Sequence, residues 1–235
     1  MQMRPFLFSA AVSLLAVGAA GAQQPQRPGT PGGRGGRGAQ PGAPGATPGG
    51  AFGARPDTGA ADTLGVPAIE KIVTTHHTTS INGKSITYTA HTGTMVLRDE
   101  DGKPKASVFF IAYTKDQEDA ATRPLTFFFN GGPGSASIWL DMGIMSPMHP
   151  EMGPNGSQPA PPYNLVENPN SPLDVTDLVQ IDAMNTGYSR PAKGVKETDF
   201  TGTQNDIAMF GEFIRDYLDK YKRWQSPKYL FGESY

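Results

Sequence analysis

The sequence predicts an α/β fold in which antiparallel hairpins lead into a mostly parallel sheet with helices on both faces. Three observations carry that reading. Between residues 72 and 113, β-branched and alternating segments are punctuated by Asn82-Gly83 and Asp101-Gly102, both strong turn signals. Residues 125–129, 178–181 and 229–231 are short runs apolar on both faces, which suits strands covered on both sides. A helical stripe separates the last two runs, and strands alternating with helices build parallel sheets.

The chain is organised in three stretches. Arg4 supplies a positive charge, residues 6–20 are an almost unbroken apolar and small-residue run, and Ala20-Gly21-Ala22 has the small-x-small pattern of a signal-peptidase site. Residues 1–22 are therefore expected to be a cleaved signal peptide on an exported protein, periplasmic or extracellular. The run is too short and too rich in small residues for a stable membrane anchor. Residues 23–65 are mostly Gly, Pro, Ala, Gln, Thr and Arg, with Phe52 and Leu64 the only large apolar side chains. Such a stretch has little to bury against its ordering entropy and reads as a disordered linker. Residues 66–235 are read as the folded domain.

Within that domain, residues 72–81 and 85–91 form the first predicted hairpin, with Ile86, Tyr88 and Ala90 on one face. Residues 95–98 read as a third short strand and 107–113 as a fourth. The long helix is predicted with Thr203 as N-cap and Asp206 three residues later. Its core stripe is Ile207, Phe210, Ile214, Tyr217, Leu218 and Tyr221.

Composition excludes several functions. The formal net charge is −2, which gives no basic field for nucleic acid, and Arg34-Gly35-Gly36-Arg37 reads as a solvated spacer. There are no cysteines, hence no disulfides, no thiolate metal sites and no Cys nucleophile. His76 and His77 lack the spacing of a metal pair, so no metal and no cofactor are expected.

Two stretches carry chemistry, each at a strand end. Asn130-Gly131-Gly132-Pro133-Gly134 follows the first apolar run; its glycines let backbone N–H groups approach a ligand and stabilise an oxyanion. No Lys-Ser or Lys-Thr follows, so it is not a phosphate loop, and alone it reads equally well as a structural turn. Gly232-Glu233-Ser234-Tyr235 follows the last run. Gly-x-Ser at a strand end is the start of a nucleophile elbow, in which a serine on a tight bend stands above the sheet. By itself this tripeptide is weakly informative; with a glycine loop at an earlier strand end it gains weight.

Together, residues 128–135 (Phe-Phe-Asn-Gly-Gly-Pro-Gly-Ser) and 226–235 (Ser-Pro-Lys-Tyr-Leu-Phe-Gly-Glu-Ser-Tyr) closely resemble the serine carboxypeptidases. Asn168, and Asp182 with Thr186-Gly187-Tyr188-Ser189, resemble that family's signposts between the two motifs. The resemblance implies a partial α/β-hydrolase fold and a residue-by-residue assignment. Ser234 would be the nucleophile, with Gly132 and Tyr235 forming the oxyanion hole. Asn130, the Gly131 amide and Glu233 would bind the free C-terminal carboxylate of a peptide substrate. Departures are visible. Ile144 stands where the family has a second carboxylate-binding Glu, with Asp141 nearby but out of register. Ser135 stands where many members have a cysteine, Phe128 replaces a common Trp, and Met184-Asn185 replace a Pro-x-Gly pattern.

The implied reaction is attack of the Ser234 hydroxyl on an amide or ester carbonyl, assisted by a histidine that an aspartate orients. In this fold those partners follow the serine in the chain. The chain is therefore expected to be an N-terminal fragment, inactive alone, since His76, His77, His91 and His149 all precede Ser234. Two alternatives remain at this point: an esterase or acyltransferase on the same fold, and a non-catalytic exported binding protein.

Overall fold

The computed structural model describes residues 66–132 and 134–234. The expected signal peptide and linker, and Tyr235, lie outside the described residues.

Strands β1 (Lys71–Ile81) and β2 (Lys84–Arg98) form the first hairpin. Its tip turns at Asn82 and Gly83, with φ of 51° and 73°, the two-residue turn that their order predicts. Ile86, Tyr88 and Ala90 are buried on one face of β2, as the alternation requires. The separate strand expected at 95–98 does not exist: β2 runs unbroken through Gly93. A Cβ at Gly93 would lie 1.9 Å from the Lys71 carbonyl oxygen, so this glycine admits the close approach of β1 and does not interrupt the strand. β3 (Pro104–Lys115) returns antiparallel to β2.

β4 (Leu125–Asn130) is followed by α1 (Ile138–Leu140), a π-helical turn (Asp141–Met145), and a small separate pair, β5 (Met148–Pro150) with β6 (Leu165–Glu167). The chain then re-enters the main sheet as β7 (Asp177–Ile181) and touches β3 at β8 (Arg190–Pro191). α2 (Thr203–Lys220) and β9 (Lys228–Glu233) complete the described chain. The strand order is β1-β2-β3-β7-β4-β9, with β8 beside β3. Pairs up to β7 are antiparallel, and β7, β4 and β9 are mutually parallel. The fold is thus a mixed α/β sheet, as the sequence predicts.

Alternation along β4 and β7 divides the core in two. Phe127, Val179 and Ile181 point to α2, which packs Met209, Phe213, Tyr217 and Leu218 on them. Phe128 and Leu178 point the other way, onto Leu140, Met145, Leu173 and the inner face of the hairpin. One face is therefore covered by a long helix and the other by short helical turns. The expected cap and stripe of α2 are shifted: Gly202 occupies the N-cap position, Met209 and Phe213 are core residues, and Ile207 is 62% exposed. β9 differs from its expected central character. It lies at one end of the described sheet with Tyr229, Leu230 and Phe231 exposed.

At the amino ends of the parallel strands, Asp177 accepts from Arg123 Nε at 2.8 Å and from Arg223 Nη1 at 2.7 Å, all three side chains buried. This clamp lies at the end of the sheet opposite the glycine loop.

Candidate active site

β7 lies on one side of β4 and β9 on the other, so the crossovers from β4 to β7 and from β7 to β9 run in opposite directions across the sheet. A crevice opens outside the carboxyl ends of parallel strands at such a reversal, and ligands of open α/β sheets bind there. The two motifs singled out from the sequence occupy those ends. Asn130 ends β4, Glu233 ends β9, and the two are register partners. Asn130 Nδ2 donates to Glu233 Oε2 at 2.9 Å across a separation of 103 residues.

The orientation of Asn130 is determined from three sides. Its Oδ1 accepts from the Leu140 amide at 2.8 Å, which turns Nδ2 toward Glu233. Its own amide donates to Ser137 Oγ at 3.0 Å. Ser137, fully buried, donates from Oγ to the Ile181 carbonyl at 2.6 Å, and its amide donates to Asp182 Oδ1 at 2.9 Å. The glycine loop is thereby tied to the carboxyl end of β7. Asp182 also accepts from Gln180 Nε2 and from the Tyr188 amide, so N–H donors surround it. Gly187, with φ 45°, lies so close that a Cβ would fall 1.8 Å from Asp182 Oδ2, and no side chain fits there. Asn185 takes φ 65°, a conformation asparagine tolerates better than most residues.

Gly132 has φ 126°, and the Ser135 amide donates to the Gly131 carbonyl at 3.1 Å, closing the loop on itself. Ser234 has φ 56°, the left-handed region that non-glycine residues seldom occupy and that the sharp bend of an elbow imposes. Gly232, two residues earlier, is fixed by packing: its missing Cβ leaves room for the Phe129 ring, 3.2 Å from where that atom would be. Asn130, Gly131, Gly134 and Ser234 line one cleft of about 710 Å³, whose far wall includes Ile207 and Phe210 of α2.

Other sequence candidates lie elsewhere. Asn168 is a buried brace whose Nδ2 donates to the carbonyls of Ile144 and Ser146. His76 and His77 are on exposed β1, His149 is on β5, and none of them lines the cleft. Ile144 is 57% exposed, and no carboxylate occupies its position. Asp141 does not stand in for one. It is fully buried and its Oδ2 accepts from the Tyr113 hydroxyl at 3.0 Å. Burial pushes the Asp141 carboxyl up to about 7; the Tyr113 hydrogen bond opposes this and the nearby Asp182 adds to it. Among the described residues no cluster of three or more His, Cys, Asp or Glu has the arrangement of a metal site. Sequence reading misses Ser137 and the Leu140 amide; the only signal is a small hydroxyl residue immediately before the apolar turn Ile138-Trp139-Leu140.

Comparisons with known proteins point the same way. The serine carboxypeptidase family model matches residues 83–235. Serine carboxypeptidase S10 family member 1 of Dictyostelium discoideum is 30% identical over 133 residues, covering 55% of this chain and 29% of that protein. Carboxypeptidase Y of Saccharomyces cerevisiae is 30% identical over 151 residues, 63% of this chain and 25% of its own length. A probable serine carboxypeptidase of Arthroderma benhamiae is 27% identical over 194 residues, 74% of this chain and 34% of its own. The chain thus spans about a quarter to a third of the length of these relatives. A family match over most of the folded residues, joined to the glycine loop and serine bend at neighbouring strand ends, establishes that the chain belongs to the serine carboxypeptidase family.

Proposed function

We propose that this chain carries the nucleophile and the carboxylate-binding groups of an exported serine carboxypeptidase, which removes C-terminal residues from peptides through an acyl-enzyme on Ser234. The observation that carries the reading is the parallel pairing of β4 with β9, which joins Asn130 to Glu233 one residue before the strained serine. In this reading the Ser234 hydroxyl attacks the scissile carbonyl, and the amides of Gly132 and Tyr235 receive the oxyanion. Asn130, the Gly131 amide and Glu233 hold the substrate's terminal carboxylate, with a proton shared between the two carboxyl groups because like charges in contact repel. None of His76, His77, His91 and His149 lines the cleft, so no general base stands beside Ser234 among the described residues, and residues 23–235 alone are expected to be inactive. The signal-peptide pattern in the sequence of residues 1–22 supports the export part of this reading.

Ile144 favours a second reading. With an exposed aliphatic side chain in place of a second acid, the terminal-carboxylate site has one carboxyl group, and an esterase or acyltransferase needs none. The two readings separate on one comparison in the full-length protein. A peptide with a free C-terminal carboxylate is expected to be hydrolysed well over tenfold faster at low concentration than its C-terminal amide, given the worth of charge-assisted hydrogen bonds. Glu233→Ala is expected to raise KM for the free-carboxyl peptide by roughly 10- to 100-fold, the effect of losing one charge-assisted hydrogen bond, and to leave ester hydrolysis nearly unchanged. Equal rates on peptide and amide would remove the carboxypeptidase assignment and keep the hydrolase.

A further inference from the structure

Asp141 is a fully buried carboxyl group in a place where a carboxylate is poorly served. Its Oδ2 accepts one hydrogen bond, from Tyr113, and its Oδ1 has no partner among the described residues. No lysine, arginine or histidine among the described residues forms an ion pair with it. The titratable groups that face it are Tyr113 on β3 and Asp182 after β7, with Tyr88 of β2 packed edge-on against Tyr113. A buried anion with a single donor and another carboxylate nearby is costly, and a proton removes that cost.

The position of Asp141 in the chain gives this chemistry a consequence. It is the residue directly after Leu140, whose amide orients Asn130, and it opens the π-helical turn from Asp141 to Met145. π-Turns inside helices concentrate at functional sites, where they re-aim neighbouring groups. The far end of that turn is pinned to the core: Ser171 Oγ donates to the Met145 carbonyl, and Asn168 to those of Ile144 and Ser146. Its near end is held from below by Asp141 and Tyr113. We infer that Asp141 is a positioning residue: its proton lets the turn stay packed in the core with no buried charge beneath it and, through the Leu140 amide, keeps the Asn130 amide aimed at the substrate's terminal carboxylate.

This role rests on the assignment of Asn130 to the carboxylate site and adds a pH sensor beneath it. With the carboxyl raised to about 7, the turn is seated below that pH and strained above it, once the buried group ionises. In the full-length protein, KM for a free-carboxyl peptide is expected to rise roughly tenfold between about pH 6 and 8.5, the loss of about one hydrogen bond. An ester substrate, which makes no use of Asn130, is expected to show no such limb in KM. Asp141→Asn, neutral at every pH and able to accept from Tyr113, is expected to flatten the limb to less than about twofold. Tyr113→Phe removes the donor that favours ionisation and is expected to move the limb to higher pH. A merely structural role would lower thermal stability at all pH values and leave the limb where it was.

If the limb persists unchanged in Asp141→Asn, it arises from another group and the inference fails. Should that variant not fold, the direction of the shift in Tyr113→Phe decides alone, and no shift overturns it. If neither peptide nor ester is hydrolysed, the peptidase assignment falls instead. The Kd of the free-carboxyl peptide over the same pH series then reads Asp141 directly, a pH-independent Kd overturning its role.

Discussion

Ser234→Ala in the full-length protein is expected to lower kcat by roughly 10⁵- to 10⁶-fold and to abolish labelling by a serine-directed phosphonate. Its thermal stability should change little. The separation follows from the backbone. Ser234 sits at φ 56°, and the cost of holding an L-residue there, about 1–2 kcal/mol, is the same for alanine as for serine. Removing only Oγ therefore deletes the nucleophile and leaves the bend as strained as before. Ser234→Gly sharpens the test. Glycine relieves the left-handed strain, so this variant should be equally inactive yet more stable by up to about 1 kcal/mol. Inactivity with increased stability is the pattern of strain retained for function. Residual labelling of either variant would place the nucleophile elsewhere, and a stability loss in Ser234→Gly would show that the bend is not imposed by the fold.

Much of this is legible in the sequence because local chemistry and tertiary context agree. Asn82-Gly83 makes the turn its residue types favour, and residues 125–128 and 178–181 are buried on both faces because each face carries apolar side chains, with the single polar members Thr126 and Gln180 buried among them. Where one residue type serves two purposes, sequence reading fails. Gly93 reads as a strand end but accommodates a neighbouring backbone. The helical stripe reads with the wrong phase at its start: Ile207 is as apolar as Met209, and only the position of β4 beneath the helix decides which of them is buried. β9 reads as a covered strand from its composition, whereas the described chain leaves its faces open. At the site, the motifs name the residues but not what holds them. Nothing in the local pattern of residue 137 announces that its hydroxyl joins β4 to β7, nor that Asp141 turns inward to a tyrosine on β3. Those links cross between 7 and 44 residues and exist only once the strand order does.

Asp177→Ala is expected to be the most damaging substitution away from the cleft, and its cost follows from which partner is removed. Asp177 has almost no exposed side chain and serves three donors: Arg123 Nε, Arg223 Nη1 and the Lys115 amide. The arginines are nearly as buried and make further bonds, Arg223 to Ser226 Oγ and the Arg123 carbonyl, and Arg123 to the Leu173 carbonyl. They cannot swing into water without breaking those contacts. Removing the carboxylate leaves two guanidinium charges buried with no counter-charge, a loss of about 3–5 kcal/mol, against a total stability of roughly 5–15 kcal/mol. The apparent melting temperature should fall by about 6–20 °C. Asp177→Asn keeps the shape but turns an amide donor toward one arginine, so it should fall nearly as far. Breaking the exposed Lys103–Asp101 pair by Lys103→Ala should change stability by less than about 0.5 kcal/mol. Because the clamp joins the amino ends of β4 and β7 to the segment leading into β9, its loss should also loosen the pairing that brings Asn130 to Glu233. Peptide binding should then weaken even at temperatures where the variant remains folded. If Asp177→Ala melted at the wild-type temperature, the strands would be aligned by apolar packing alone, and the buried charges would have no part in holding the cleft.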